Sequence, residues 1–173
     1  MDEFAAANGG RRPDLVIHIG IASPRLYYSV EALAHRDDYL ITDTDGCSGY
    51  EDGEKRWKEM GLPPILRPGP AGEDISFPGR GSYPPDEHFL EMWKSLAPAD
   101  LDLRVSQDPG HYLCDFIYYS SMSLALKEGR DRNVLFFHVP GAPGSADIER
   151  GCKIALALIK TTITCWIDKK RPA

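Results

Sequence analysis

Apolar residues along the chain fall into short β-branched or continuous runs, separated by stretches with helical spacing. Asp14-Leu-Val-Ile-His-Ile-Gly-Ile-Ala22 is brief, β-branched and closed by small residues, which predicts a buried strand. Leu26 to Leu33 predicts a second, weaker strand, and Leu103 to Ser106 a third. Asn133 to Val139 is a continuous apolar run closed by Pro140 and predicts another buried strand. Asp86 to Leu96 predicts a helix with an acidic first turn and Phe89, Leu90 and Trp93 on one face. Asp108-Pro109 reads as the N-cap and first residue of a further helix, along which Leu113, Phe116, Ile117, Ser121 and Leu124 recur, with Gly129 as its stop. Ser145 opens a last helix with Ile148, Cys152, Ala155, Leu156, Ile159, Ile163 and Trp166 on one face. Strands alternating with helices predict an α/β fold, a single layered α/β/α domain with a mostly parallel twisted sheet.

The spacing of these elements sets the organisation. Residues 1–13 are polar and Gly-rich and read as a flexible leader, 14–168 as one domain, and 169–173 as a basic tail. From about 43 to 85 prolines and glycines dominate, with Pro63-Pro64, Pro68-Gly-Pro70 and Pro84-Pro85 and a single helical turn near Trp57. A loop of that length inside a compact domain is usually functional, and it reads here as an insertion.

Composition narrows the function. At 173 residues and 42% hydrophobic the chain is long enough and apolar enough for one core. Val134–Phe137 and Ile154–Ile159 are far shorter than a membrane span needs. Twenty basic against 26 acidic residues, net −6, give no general attraction to nucleic acid or anionic lipid. Lys169, Lys170 and Arg171 read as a solvated helix end. Cys47, Cys114, Cys152 and Cys165 form no C-x-x-C pair, and no apolar leader opens the chain. The expectation is a reducing, cytoplasmic setting with free thiols and no metal or cofactor.

Candidate chemistry gathers on two motifs. Ser106-Gln-Asp-Pro-Gly-His-Tyr-Leu-Cys-Asp-Phe-Ile-Tyr-Tyr119 links a strand to a helix and puts Cys114 early in that helix, where unpaired N–H groups and the dipole favour a reactive thiol. Helix periodicity alone allows Cys114 to be a small buried hydrophobe. His138 ends the strand Val134-Leu-Phe-Phe137, and ligands in open α/β sheets bind beyond the carboxyl ends of strands. A Cys–His pair at that rim could transfer the thiol proton to the imidazole and return it to a leaving group. A third group must orient the imidazole, and Glu31, Asp108 and Asp115 are the acidic candidates. Asp108 suits a helix cap and Asp115 a solvated first-turn acid. Glu31 stands inside the apolar segment Tyr27 to Leu33, where an isolated carboxylate is costly.

The cysteine motif resembles the signature of the type I pyroglutamyl peptidases (pyrrolidone-carboxylate peptidases). Phe136-Phe-His-Val-Pro140 is similar to their histidine motif, and Ile17-His-Ile-Gly20 followed by Val30-Glu31 to the segment with their catalytic glutamate. The likeness covers roughly residues 14–42 and 103–165. It implies a triad of Cys114, His138 and Glu31 and a cysteine omega-peptidase that removes N-terminal pyroglutamate from peptides through a thioester. It also implies a pyroglutamyl peptide as the partner and no cofactor. Residues 1–13 do not match the family's N-terminal strand and Gly-Phe-x-Pro-Phe-like loop, so a chain lacking them is expected. The alternative is then a non-catalytic or truncated relative acting as a binding module, with homo-oligomers forming through uncovered sheet surface. Substrate-binding residues are not assigned. The family's oxyanion-stabilising arginine has no match at its spacing, and Arg36 is the nearest.

Other signals read as structure. Asp43-Thr-Asp45-Gly46 is a turn rather than a calcium loop, and Gly79-Arg80-Gly81 is too short for a phosphate loop. His18 reads as a core histidine, and Tyr118 and Tyr119 as helix packing. His35, His88 and His111 read as scattered surface or loop residues, not as a metal site.

Overall fold

The computed structural model describes residues 2–72, 85–141 and 144–170. Gly79-Arg80-Gly81, the middle of the expected insertion, the side chain of Trp166 and the basic tail's side chains lie outside the described residues.

Four strands form the main sheet: β1 (Val16–Ala22), β2 (Tyr28–Glu31), β5 (Leu103–Ser106) and β6 (Val134–Pro140), in the order β1-β6-β2-β5. β1 pairs parallel to β6 and β2 parallel to β5, while β2 and β6 run antiparallel, so the sheet is mixed with parallel pairs dominant. A small antiparallel pair, β3 (Ala34–His35) with β4 (Ile65–Leu66), lies apart from it.

β6 shows why two layers of helix are needed. Successive side chains of a strand point to opposite faces, and every residue from Val134 to His138 is buried. Leu135 and Phe137 join Val30, Phe89, Trp93, Ile154 and Leu158 in one core, packed by α3 (Glu87–Leu96) and α5 (Ser145–Lys170). Val134 and Phe136 join Tyr118, Tyr119, Met122, Tyr39, Trp57 and Leu66 in the other, packed by α4 (Leu113–Lys127) and the short α2 (Lys55–Glu59). The result is the three-layered α/β arrangement the alternation predicts.

Several boundaries and faces differ from the sequence reading. A helix, α1 (Asp2–Ala7), lies within the stretch read as a flexible leader. Arg12 ties that end to the domain through Glu128, at 2.7 Å, and also pairs with Asp2. α5 is apolar on two sides. The buried stripe is Ile154, Ala157, Leu158 and Cys165, whereas Ile148, Leu156, Ile159 and Ile163 are exposed. Contact with α3 decides which side turns in: Trp93 donates its indole N–H to the Ile154 carbonyl at 3.2 Å, and Cys165 meets Met92. α4 likewise buries Tyr118, Tyr119, Met122 and Ala125, leaving Leu113 and Ile117 nearly half exposed. Asp43 makes the expected turn, its carboxylate accepting from the N–H groups of Asp45 and Cys47. Among the described residues no helix is long and apolar enough to cross a membrane.

Candidate active site

Strand register builds the site. Residues paired across neighbouring strands point to the same face. Gly20 on β1 pairs with His138 on β6, His138 with Ser29 on β2, and Glu31 with Ser106 on β5. Ser29 and Glu31 are two apart and share a face. His138, in step with Val134 and Phe136, therefore faces α4, and Ser29, Glu31 and Gly20 face the same way.

Glu31 and His138 meet there. His138 Nδ1 lies 2.8 Å from Glu31 Oε1, and both side chains are buried. Ser29 Oγ donates to the same oxygen at 3.2 Å. Tyr118 of α4 donates its hydroxyl to the Glu31 carbonyl at 2.8 Å, fixing the helix over β2. Cys114 descends from the first turn of α4 towards the place where Gly20 has no side chain. A Cβ there would lie 2.9 Å from Cys114 Sγ and 2.9 Å from the Phe136 ring. Cys114 is partly buried and lines an open pocket of about 480 Å³ with His18, Ile19, Phe116, Ile117 and Phe136.

The electrostatics follow from burial and partners. Burial alone would raise the Glu31 carboxyl, but hydrogen bonds with His138, Ser106 and Arg25 hold it below its ordinary value. Burial works to lower His138, yet its hydrogen bonds with Cys114 and Glu31, and their negative charges, push it up to about 9. His138 therefore keeps its proton at neutral pH.

The other acidic candidates go elsewhere. α4 starts at Leu113, with Tyr112 at its N-cap and no capping side chain, rather than at Asp108-Pro109. Asp108 instead closes a local turn by accepting from the Gly110 N–H at 3.1 Å, while Gly110 takes a positive φ of 84°. Asp115, expected as a solvated acid, is fully buried and accepts from both the backbone N–H of His35 and its ring, each at 2.9 Å. Arg36 is occupied by Asp37 and by the Leu62 carbonyl. His18 is partly buried and bonded to Ser121 Oγ at 2.9 Å. His35 and His111, read as scattered, have ring centroids 4.6 Å apart.

The sequence reading missed Arg25. Its guanidinium bonds Glu31 Oε1 at 2.6 Å, Ser29 Oγ at 2.7 Å and the Asp108 carbonyl. The signal was the cost of the buried Glu31 itself: such a carboxylate calls for a cation, and Arg25 stands six residues before it.

No family model matches the chain. Individual relatives do. Mouse pyroglutamyl-peptidase 1 is 29% identical over 138 residues, 78% of this chain and 54% of that protein. Pyrrolidone-carboxylate peptidase of Pyrococcus furiosus is 26% identical over 133 residues, 76% of this chain and 54% of the relative. The chain is similar to the pyroglutamyl peptidases. The fold agrees: the solved pyrrolidone carboxyl peptidase of Thermococcus litoralis superposes with a TM-score of 0.65 at 18% identity, covering 98% of this chain and 73% of that one. The chain spans about half the length of the curated pyroglutamyl peptidases it matches.

Proposed function

We propose that the chain is a cysteine omega-peptidase that releases N-terminal pyroglutamate from peptides. The observation that carries this reading is the buried Glu31–His138 pair, 2.8 Å apart, on the sheet face where Gly20 makes room for Cys114 Sγ. The names of its relatives supply the substrate class.

Glu31 on Nδ1 leaves Nε2 of His138 to serve Cys114. His138 already holds the proton that the Cys114 thiol gives up, and Cys114 Sγ attacks the pyroglutamyl carbonyl carbon. The C–N bond breaks as His138 returns its proton to the leaving amine, giving a thioester. Water, deprotonated by His138, adds to the thioester, pyroglutamate leaves and Cys114 is restored. Tyr112 offers no capping side chain, so N–H groups of the first α4 turn remain available as donors to the developing oxyanion. A reducing, cytoplasmic setting suits a free Cys114.

The test is fluorophore release from a pyroglutamyl amide under reducing conditions. Turnover by the wild type and its loss in Cys114→Ser are expected. Undiminished turnover in Cys114→Ser overturns the reading. Absence of turnover in well-folded wild type favours a binding module.

A further inference from the structure

A second cluster of chemistry-bearing groups sits beside the triad and takes no part in it. His35 on β3, His111 in the loop before α4 and Asp115 in the first turn of α4 turn their side chains towards one point. Their nearest ligand atoms all lie within 4.8 Å of one another. His35 Nδ1 is 2.9 Å from Asp115 Oδ2, and His111 Nδ1 is 3.8 Å from the same oxygen. The Asp37 carbonyl oxygen accepts a hydrogen bond from His111 Nδ1 at 3.2 Å and offers a fourth ligand atom.

Hydrogen bonds engage both His35 Nδ1 and His111 Nδ1, and an ion would replace them there. Asp115 is fully buried, and its two oxygens are engaged by the N–H and the ring of His35. His111 approaches the same Oδ2 beyond hydrogen-bond distance. Two imidazoles presenting nitrogens to one buried carboxylate oxygen match the donor chemistry of a metal centre. We propose that His35 Nδ1, His111 Nδ1 and Asp115 Oδ2, with the Asp37 carbonyl, bind a divalent transition-metal ion of the zinc class.

The donor set selects the metal. Two imidazole nitrogens with oxygen suit zinc, nickel or copper and disfavour calcium and magnesium, which take oxygen shells. Tetrahedral zinc with ligands at about 2.1 Å places neighbouring donors about 3.4 Å apart. His35 and Asp115 are slightly closer than that, His111 is slightly farther from Asp115, and the three donors spread over up to 4.8 Å. His111 is on an exposed loop, and its side chain is 43% accessible, so a small ring rotation closes the shell. The backbone N–H of His35 on Asp115 Oδ1 would hold the carboxylate in place as an outer partner of the metal. Metal here would join β3, the Asp37 turn and the first turn of α4, one residue from Cys114.

The experiment measures metal rather than turnover, so it stands apart from the peptidase reading. Wild type, Cys114→Ser and His111→Ala are titrated with zinc by calorimetry and with cobalt(II) by visible absorption, and their Tm is followed with and without zinc. One equivalent should bind wild type and Cys114→Ser alike, with a four-coordinate cobalt spectrum lacking thiolate charge transfer and a raised Tm. His111→Ala should bind roughly tenfold or more weakly and lose the Tm rise. Binding that survives unchanged in His111→Ala, disappears in Cys114→Ser, or is missing in wild type overturns the proposal.

Discussion

Gly20 and Cys114 occupy one another's space: a methyl group on Gly20 would lie 2.9 Å from the cysteine sulfur. The contact joins strand β1 to the helix that carries the thiol, and it makes the smallest residue of the sheet a positioning element. Gly20→Ala should displace the sulfur or the Phe136 ring. A misplacement of about 1 Å near a nucleophile costs about 10²-fold in rate. The expected result is a native circular dichroism spectrum with kcat/KM down by about two orders of magnitude. Wild-type turnover in a folded Gly20→Ala protein would show that Cys114 does not need this gap.

In the proposed mechanism His138 sets the alkaline limit. Cys114 and Glu31 raise it to about 9, and it is the acid that protonates the leaving amine in the proposed mechanism. Activity should therefore fall as pH rises through about 9. Glu31→Gln removes one of the two charges that favour imidazolium, so the limb should move to lower pH, with a lower plateau. An unshifted limb would mean that Glu31 does not act on His138.

The same pair links stability to pH. His138 is raised above its ordinary 6.5, so its contribution is complete below 6.5 and is lost as pH rises through about 9. Glu31 is lowered from its ordinary 4.5, so its contribution is complete above 4.5 and is lost as pH falls below it. Urea midpoints should be highest, as far as this pair is concerned, between these limits. In a Glu31→Gln, His138→Gln double variant that dependence should flatten.

Arg25 compensates a buried charge. Arg25→Gln withdraws the cation from Glu31 Oε1, and hydrogen bonds to charged groups contribute about 1.5–3 kcal/mol. A loss of about 2 kcal/mol in urea unfolding is expected, together with a rise of the Glu31 carboxyl towards neutrality. Midpoints equal to wild type would assign the carboxylate's support to Ser29 and His138 alone.

The inward face of α5 can be checked by truncation. Ile154→Ala removes a fully buried side chain and should cost about 2–5 kcal/mol, while the exposed Ile159→Ala should stay within about 0.5 kcal/mol. The opposite ranking would reverse the face.

That choice of face marks where the sequence stops being readable. The run Val134 to Phe137 announces a strand buried on both sides, because no alternation is left in it. Phe89 and Trp93, four residues apart, announce the packed side of α3 by helical spacing. α5 carries apolar residues on two sides, and contact with α3, through Trp93 on the Ile154 carbonyl and Met92 on Cys165, decides between them. Glu31 and His138 were legible as a strand carboxylate and a strand-end imidazole, and the resemblance to known peptidases named them with Cys114. Their meeting depends on the antiparallel β2–β6 register, which no local pattern encodes. Asp108 looked like a helix cap because Pro109 follows it, but Gly110 at positive φ redirects the chain before α4 begins. Asp115 looked solvated because its neighbour across space, His35, is far away in the chain.

Glu31 and His138 are 107 residues apart in sequence, and β6 lies between β1 and β2 in the sheet. During synthesis the ribosome must therefore release the final strand before the acid, the base and the sulfur can assemble. Until then Cys114 has no base beside it and β1 has no neighbour in the sheet. In the proposed mechanism folding is thereby a safety catch: the nascent polypeptide carries Cys114 before the base that serves it has been made.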